Sequence, residues 1–538
     1  MNTLKRIDKV CAVKQEGGWN SNVSSRFSNA DLDPVPENKR TWTGWDVASY
    51  WASDQFAPAT WDLGATLVGF GLCAREAIPL SFVAFLVIGI VLTINGRIGA
   101  TLHCTFPVIA RSSFGMYGAY APILVRSILA LLWLVILTYQ GGRITAVMIS
   151  AIWPSFSRIE NTLPEGLGIT TQEMVGFLIL WVFQAPLACV PVVRLKWFFR
   201  IKAYISIILF LGLFIWGIHA TKGQGFLLTG HFDEPKLPHA SRSWAMVSGL
   251  NAVTGLYSTV SINIPDFSRF ARSNRANWSQ IIAVPVTGTI PIAVSIICAQ
   301  AARKLYGVEV FDPASLCGVF DSRAAQFFSA FGFWVSTIGV NISANSVSFA
   351  TDICSIAPRY LTIFRTSILA GILCWATCPW KIVTDAPSFI SFLSSYPVFL
   401  APIATILATD FFVVRRGKVD VRQLYDPKGV YAYKFGCNWR AFAAWIFAFA
   451  PNLPSFAHAI DASNPDPQPW TYMFSWYFST ICSFFWYCLF SYVFPPRSSF
   501  VDEAVYEVYE LEYENSRNTS TAGDKVEEKE HDAGIVPV

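Results

Sequence analysis

Long apolar stretches alternate with short polar connections along most of the chain. Each apolar stretch is about as long as an α-helix that crosses the hydrocarbon core of a bilayer, roughly 20 residues. The pattern predicts twelve such spans, and therefore an all-α polytopic membrane protein. Their centres lie near Gly64, Leu86, Ala130, Leu180, Leu209, Thr254, Ala293, Gly339, Ala370, Pro402, Phe449 and Thr480.

The same pattern divides the 538 residues into three parts. Residues 1–43 form a polar N-terminal segment, residues 44–495 the membrane-spanning body and residues 496–538 an acidic C-terminal segment. The C-terminal composition, rich in acids and poor in large aliphatics, predicts a solvated and disordered tail. Such a tail is either a solubilising extension or a platform for trafficking or ubiquitination machinery, with Lys525 and Lys529 as candidate modification sites. The opening residues MNTLKRIDKV contain no apolar stretch, so no cleaved signal peptide is expected.

The placement of Lys and Arg predicts the orientation of the spans. Short cytoplasmic connections carry an excess of these residues, and here the excess follows the even-numbered spans. The basic residues are Arg97, Arg111, Arg194, Lys196, Arg200, Lys202, Arg269, Arg272, Arg275, Arg359, Arg365, Arg415, Arg416, Lys418 and Arg422. Because the opposite connections are mixed or acidic, both termini are predicted to lie in the cytoplasm.

Composition narrows the classes of function. The chain is 53% hydrophobic and 14% charged, against roughly 25% charged in soluble proteins, and no stretch is left for a separate catalytic domain. The net charge of +4 is spread along the chain, so no nucleic-acid partner is expected. The cysteines and histidines show no metal-ligand spacing, and no set of nucleophile, base and oxyanion donors is visible. The expected partners are membrane lipid and small solutes, and no catalytic residue, metal or cofactor is predicted.

Two predicted spans contain residues that interrupt a helix. The first contains Pro58 among several glycines, and the sixth contains Asn263 and Pro265 after two glycines. Interrupted spans in corresponding halves are typical of inverted-repeat transporters, where freed backbone groups hold substrate and ions near the bilayer midplane. Glycine and proline are also common in ordinary membrane helices, so simple packing is the alternative.

Asp62 lies inside the first apolar run. A charged residue there costs at least about 2.5 kcal/mol on insertion scales, so it requires a compensating role unless the span begins later and Asp62 lies at the membrane interface. Four further acids fall near span ends, where interfacial or capping roles are common. They are Asp54, Asp266, Asp352 and Asp410.

The third and eighth spans contain residues suited to a planar, hydrogen-bonding heterocycle. Trp133 lies in the middle of the third span, far from the interfacial belt that tryptophan usually occupies. Asn341 and Asn345 are four residues apart and share one helical face. Hydrogen bonding between helices is the alternative role for the two asparagines.

Several longer blocks resemble a known family. They are TWTGWDVASYWASDQFAPATWDLGATLVGFGLCAREA, NIPDFSRFAR, NISANS and APIATILATDFFVVRRGKVDVRQLYDPKGVYAYKFGCNWRAFAAW. Together they are similar to the nucleobase:cation symporter family, in particular its fungal uracil, allantoin and thiamine-type permeases. The resemblance covers about residues 40–495.

The resemblance implies twelve spans, of which the first ten form a five-plus-five inverted repeat with substrate bound between spans one, three, six, eight and ten. By position, Trp133 matches the tryptophan that stacks on the substrate ring, and Asn345 matches the asparagine that hydrogen-bonds it. Tyr257 falls about where the family has its sixth-span aromatic residue.

The departures from the family pattern are also informative. Leu137 stands where the family usually has a glutamine. In the first span the family commonly reads DAFN, whereas this chain reads DQFA and so has Ala57 in place of the asparagine. Without the glutamine amide, the polar edge of a bound uracil-like ring lacks a hydrogen-bond partner, which costs roughly 1–3 kcal/mol of binding free energy. Uracil is therefore expected to be a poorer substrate here, unless Gln140, one helical turn further on, takes the place of the missing glutamine.

The resemblance also bears on the coupling ion. Sodium-coupled relatives hold the ion partly with hydroxyls just before the eighth-span asparagines, where this chain has Gly339 and Val340, with Ser336 further back. A hard cation requires several oxygens at once, so proton coupling is expected. Asp62, which interrupts an apolar run, and Asp352, two helical turns beyond Asn345, are the proton-coupling candidates.

The sequence therefore predicts a secondary transporter that imports a nitrogen heterocycle by proton symport. The substrate classes are a nucleobase, an allantoin- or hydantoin-like ring, or a thiamine- or nucleoside-like compound. The alternative is a non-transporting nutrient sensor on the same fold. The plasma membrane is the expected location, as it is for the family.

Overall fold

The computed structural model describes residues 12–13, 26–69, 71–190, 192–223, 241–381, 395–460 and 470–508. Within these ranges the chain is almost entirely helical, and extended pairing is limited to two isolated bridges, Trp42 with Ala271 and Asp420 with Val505. The all-α prediction is confirmed.

The α-helices of the described residues are numbered in chain order. The first ten are α1 (Gly44–Gln55), α2 (Pro58–Gly69), α3 (Ala74–Leu102), α4 (Phe106–Phe114), α5 (Tyr120–Ile152), α6 (Thr171–Ala188), α7 (Lys196–Ala220), α8 (Arg242–Leu256), α9 (Ser258–Asn263) and α10 (Pro265–Ser268). The next ten are α11 (Gln280–Tyr306), α12 (Pro313–Gly318), α13 (Arg323–Val340), α14 (Val347–Ile356), α15 (Ile363–Ala376), α16 (Pro397–Thr409), α17 (Trp439–Phe449), α18 (Leu453–Ile460), α19 (Trp470–Met473) and α20 (Ser475–Val493). Two π-helical segments are Asn341–Ser346 and Asp410–Val414. Short 3-10 turns lie at Glu37–Lys39, Phe156–Arg158, Glu165–Leu167, Val192–Leu195, Asn274–Ser279, Pro379–Lys381, Arg422–Leu424, Val430–Ala432, Lys434–Gly436, Ala450–Asn452 and Arg497–Ser499.

Every predicted span centre lies in one of these helices. In the described part of the chain, six helical stretches are long and apolar enough to cross a membrane. They are Ala74–Leu102, Tyr120–Ile152, Trp197–Ala220, Asn274–Tyr306, Arg323–Ile356 and Pro397–Val414. The full count of twelve crossings and the inverted repeat stay predictions.

The first and sixth helices are both broken, as the interruptions in the sequence predict. In the first, α1 ends at Gln55 and α2 begins at Pro58. The carbonyl of Phe56, freed by this break, accepts a hydrogen bond from Ser336 Oγ at 2.6 Å. In the sixth, Tyr257 separates α8 from α9. The two breaks therefore expose backbone groups deep inside the helix bundle.

The N-terminal segment is packed, which its polar composition does not indicate. Phe27, Leu32 and Val35 are buried, with exposures of 2%, 0% and 4%. Three apolar side chains at irregular spacing have no helical or strand periodicity, so the sequence pattern assigns them to a tail. Residues 26–43 instead form part of the folded body.

Backbone and amide contacts hold this segment between the loops at one end of the bundle. Asn29 Nδ2 donates to the carbonyls of Pro358 and Leu361 at 3.1 and 3.0 Å. The Val35 amide donates to the His103 carbonyl at 2.9 Å. The segment thus joins the loop after α3 to the loop before α15.

The beginning of the C-terminal segment is also packed, so the expectation of a solvated tail does not hold for residues 496–508. Val505 pairs through its backbone with Val419, with 3.0 Å between its nitrogen and the Val419 oxygen. Glu507 forms an ion pair with Arg40, at 2.7 Å between Nη1 and Oε1. The Arg40 guanidinium lowers the pKa of Glu507 below its ordinary value. The two terminal segments therefore meet at the same end of the molecule.

Gly64 allows the closest approach of the first helix to the seventh. A Cβ atom at this position would lie 2.7 Å from the Ser295 Cβ and 2.8 Å from the Ile292 carbonyl oxygen. Real Cβ atoms do not approach backbone so closely, so α2 and α11 would have to separate. At Gly69, five residues further along α2, an added Cβ meets nothing within 4 Å.

We expect Gly64→Ala to destabilise the protein by about 1–3 kcal/mol, the usual cost of overpacking. Gly69→Ala is the matched control, because it makes the same chemical change in the same helix without a clash. The measurement is the thermal unfolding midpoint of detergent-solubilised protein. Equal midpoints for the two variants would contradict the close packing of α2 on α11.

Candidate substrate site

Helix α5 places two of the predicted site residues in the interior. Trp133 and Leu137 are 4% and 1% exposed, and they lie one helical turn apart. The Trp133 ring meets the Tyr396 ring edge to face, with 6.3 Å between centroids. Both rings belong to the same buried apolar cluster as Leu137 and Tyr257. Tyr396 also lies within electrostatic reach of Tyr257, so it stands between Tyr257 and Trp133.

Tyr257 lies where the sixth helix is broken. Its hydroxyl is 3.1 Å from Thr60 Oγ1 on α2, and its ring packs edge to face on Trp51 and Phe85, at 5.8 and 5.6 Å. Tyr257 therefore connects α1 and α2, the two parts of the first helix, to the break in the sixth helix.

A second tyrosine, Tyr396, caps the same break. Its hydroxyl donates to the Gly255 carbonyl at 2.9 Å, which satisfies a backbone group that a continuous helix would use. Because its ring also contacts Trp133, Tyr396 connects the break in the sixth helix to the indole. Tyr396 was not predicted from the sequence, since a tyrosine at a span end is ordinary.

The two asparagines lie in the π-helical segment Asn341–Ser346. Segments of this kind within α-helices are frequent at functional sites. The predicted adjacency is present, because Asn345 Nδ2 donates to Asn341 Oδ1 at 2.9 Å. Within the described residues the Asn345 side chain makes this one hydrogen bond, and it is 9% exposed.

Asn341 has a different environment from Asn345. Its Nδ2 lies 2.9 Å from the Leu134 carbonyl, 3.0 Å from Thr138 Oγ1 and 3.0 Å from Gln184 Oε1. The amide hydrogens of Asn341 are thus directed to α5 and α6. This geometry supports the interhelical alternative for Asn341 and leaves Asn345 as the better placed substrate contact.

Gln184 was not predicted from the sequence, although its signal was available. It stands alone in the apolar run of α6, is 4% exposed and donates from Nε2 to Thr138 Oγ1 at 3.0 Å. A polar side chain in such a run usually bonds to a neighbouring helix. Gln184 completes an amide network behind the asparagines.

Gln140 does not replace the amide missing at Leu137. Its Nε2 donates to Asp62 Oδ2 at 2.6 Å. Asp62 is 0% exposed and lies within α2, so it is buried in the helix bundle and not at a helix end.

Most of the chain matches one family of known proteins. Residues 34–477 match the sequence model of a family described as permeases for cytosine/purines, uracil, thiamine and allantoin. The chain belongs to this permease family. The family consists of transporters, so this permease is neither an enzyme nor a nutrient sensor.

Individual proteins that are similar to this chain are also named permeases. The permease is 33% identical to the allantoin permease of Saccharomyces cerevisiae, over 82% of this chain and 72% of the relative. It is 31% identical to the uracil permease of the same yeast, over 82% of this chain and 71% of the relative. It is also 31% identical to an uncharacterised permease of Schizosaccharomyces pombe, over 94% of this chain and 88% of the relative.

A solved structure supports the fold. Mhp1, a nucleobase-cation-symport-1 family transporter in a closed conformation with bromovinylhydantoin bound, superposes with a TM-score of 0.69. The identity is 19%, and the match covers 88% of this chain and 99% of Mhp1. The permease therefore has the fold of an integral membrane transporter.

Asp352, the second proton-coupling candidate, has a buried partner of opposite charge in this permease. Asp352 Oδ2 lies 2.9 Å from Arg126 Nε, and both side chains are at most 1% exposed. The Arg126 guanidinium also lies over the Phe106 ring, 5.6 Å from its centroid. Asp352 is therefore part of a buried ion pair, which a proton would have to break.

Two further acids have structural partners. Asp266 accepts a hydrogen bond from the Phe106 amide at 2.8 Å and so caps α4, which confirms a capping role. Asp410 binds Arg415 at 2.7 Å and accepts from Tyr487 at 2.8 Å.

Lys202 is a buried cation that the sequence pattern places among cytoplasmic loop residues. It is 1% exposed, and its Nζ donates to the Ser53 carbonyl near the end of α1. A Cβ atom at Gly339 would meet the lysine stem at 2.9 Å. Asp54 lies within electrostatic reach of the ammonium. Lys202 therefore links the first, fifth and eighth helices of the permease.

Proposed function

We propose that this permease imports a small planar nitrogen heterocycle together with a proton. The observation that carries the proposal is the placement of Asn345 beside Asn341, whose amide binds the turn of α5 that follows Trp133. The Trp133 ring and the Asn345 amide are both buried in the interior, and in this proposal both contact one ligand. A planar ring with N–H groups at its edge fits this combination.

The substrate class follows from the polar groups at hand. The relatives include permeases named for allantoin and uracil. Leu137 presents no hydrogen-bonding group, and the Gln140 amide donates to Asp62. We therefore expect uracil to bind less well than a ring whose polar edge is satisfied by Asn345 alone.

Lys202 supports protons over sodium as the coupling ion. Its stem lies against Gly339, and its ammonium already donates to a backbone carbonyl of the first helix. A resident ammonium repels a second cation, and its stem fills the space next to the eighth helix. Gly339 and Val340 also lack the side-chain oxygens that a hard cation requires.

The test is an uptake panel in cells that lack their own permeases. Labelled uracil, uridine, allantoin and thiamine are offered at acidic and neutral external pH, with sodium present or replaced, and with or without a protonophore. We expect accumulation of at least one compound that rises with acidity, collapses with the protonophore and is indifferent to sodium. A sodium requirement would overturn proton coupling, and binding without accumulation would overturn transport.

We expect Leu137→Gln to shift the substrate preference toward uracil or allantoin. The substitution restores an amide at the position where the family usually has one, and a satisfied buried polar edge is worth about 1–3 kcal/mol. Leu137→Met is the matched control, since it conserves volume without adding an amide. The measurement is the ratio of initial uptake rates across the panel. An unchanged preference order in Leu137→Gln would remove Leu137 from the site.

We further infer that the permease resides in the plasma membrane with both termini in the cytoplasm. The basic connections after the even-numbered predicted spans support this orientation. Lys525 and Lys529, the candidate ubiquitination sites, lie outside the described residues. Epitope tags at the two ends, probed in intact and permeabilised cells, test the orientation.

A further inference from the structure

Asp62 and Gln140 form a half-satisfied pair in the interior. Gln140 Nε2 donates to Asp62 Oδ2 at 2.6 Å. The other oxygens of the two groups, Asp62 Oδ1 and Gln140 Oε1, are buried and have no hydrogen-bond partner among the described residues. Both are acceptors while Asp62 is ionised. One proton on Asp62 Oδ1 turns that atom into a donor, and the acid and the amide can then pair through two hydrogen bonds.

A charged cluster lies one helical turn from Gln140 along α5. Arg143 Nε is 3.0 Å from Glu173 Oε1 on α6, and Arg143 Nη1 also binds Asp312, which precedes α12. Arg143 and Asp312 are within electrostatic reach of Asp62. We call Arg143, Glu173 and Asp312 the outer cluster, because they lie at the end of the bundle opposite the packed segment 26–43.

The outer cluster borders a cavity of about 470 Å³. Arg143 and Glu173 line it and are 24% and 23% exposed, whereas the Asp312 side chain is 1% exposed. Tyr139 and Cys317 lie within electrostatic reach of the cluster, and Arg323 also lines the cavity. Water in the cavity can therefore reach Glu173, and Asp312 lies further inside.

We propose that Asp62 receives its proton from the outer cavity through the outer cluster. A hydronium ion in the cavity gives its proton to the Glu173 carboxylate and leaves as water, and Glu173 passes the proton on to the Asp312 carboxylate. Arg143 then pairs with the carboxylate that remains ionised. The proton passes from the neutral acid to Asp62 Oδ1, the donor acid becomes a carboxylate again, and Asp62 becomes neutral and pairs with Gln140. This route rests on the proposed proton symport.

Both cluster acids also have structural roles, and conservative variants preserve them. Asp312 Oδ1 caps α12 by accepting from the Ser315 amide at 2.9 Å, and asparagine is an equally good cap. Glu173 completes a capping box with Thr170, in which glutamine is also accepted. Asp312→Asn and Glu173→Gln therefore remove the protonatable group while keeping both helix starts. Glu160→Gln, an exposed acid in the loop before α6, is the matched control.

The experiment uses purified full-length permease in liposomes and a substrate identified by the uptake panel. Net uptake driven by an imposed pH gradient reports coupling. Exchange of labelled external for unlabelled internal substrate at one fixed pH reports binding and conformational change without net proton movement. We expect Glu173→Gln and Asp312→Asn to reduce acid stimulation of net uptake by about tenfold or more, within the range of lost proton-transfer groups. Exchange by Glu173→Gln and Asp312→Asn should stay near wild type. Asp62→Asn should remove the acid stimulation of net uptake. Glu160→Gln should match the wild type in both assays.

Three results would overturn the route. One is a wild-type pH profile in both cluster variants. A second is a parallel loss of net uptake and exchange, which would assign the cluster to structure. A third, absence of acid stimulation in the wild type, would overturn the proposed symport itself and the route with it.

Discussion

Replacing Asn345 by alanine should abolish or severely weaken uptake without removing the permease from the membrane. Among the described residues, the Asn345 amide makes one hydrogen bond, to Asn341 at 2.9 Å, so the substitution removes little of the packing between helices. A bound heterocycle loses the partner of its polar edge in a buried site, at a cost of about 1–3 kcal/mol per unsatisfied group. Affinity should therefore drop about tenfold to a hundredfold. The measurements are initial uptake at low substrate concentration and surface abundance of a fluorescent fusion.

Asn341→Ala is the informative contrast. Its amide lies within 3.0 Å of three acceptors on α5 and α6, so alanine removes a connection between three helices. We expect the Asn341 variant to lose abundance and uptake together. If Asn345→Ala transports normally at normal abundance, Asn345 serves only to position Asn341.

The second large effect concerns Trp133. If its indole stacks on the substrate ring, Trp133→Ala removes about 1–3 kcal/mol by analogy with bases stacked on protein aromatics. Affinity should fall about tenfold or more, and Trp133→Phe should retain much of it. Competition by unlabelled substrate gives the affinity of each variant.

A matched control separates stacking from the general cost of losing a tryptophan. Trp45 on α1 is 79% exposed, so Trp45→Ala should leave affinity unchanged. Wild-type affinity in Trp133→Ala would show that the indole only packs against Tyr396.

Hydrophobic spacing predicted the helices well because membrane helices are specified mainly by the length of an apolar run. The same reasoning failed for Lys202, since a lysine near the start of a span resembles a cytoplasmic anchor until folding buries it against Gly339. It also failed for residues 26–43, where isolated Phe27, Leu32 and Val35 have no period to read.

Less of the candidate site than of the helices could be predicted from the sequence. Sequence spacing placed Asn341 and Asn345 on one face, as the structure has them. It was unable to separate their roles, because that separation depends on Thr138 and Gln184, which come from other helices. For Asp62 the sequence indicated an unusual burial, but the Gln140 amide beside it follows only from the packing of α2 on α5.

The packed N-terminal segment has a consequence for biogenesis. Its partners include the His103, Pro358 and Leu361 carbonyls, the Tyr425 hydroxyl and Glu507. A ribosome makes residues 26–43 long before Glu507, at about 5–20 residues per second. The contact of Val35 with His103 can form once α3 is made, but the contacts with Pro358, Leu361 and Tyr425 must wait until most of the helices are inserted. Docking of the segment is therefore completed late, and chaperones that recognise short apolar segments have a long opportunity to bind at this site.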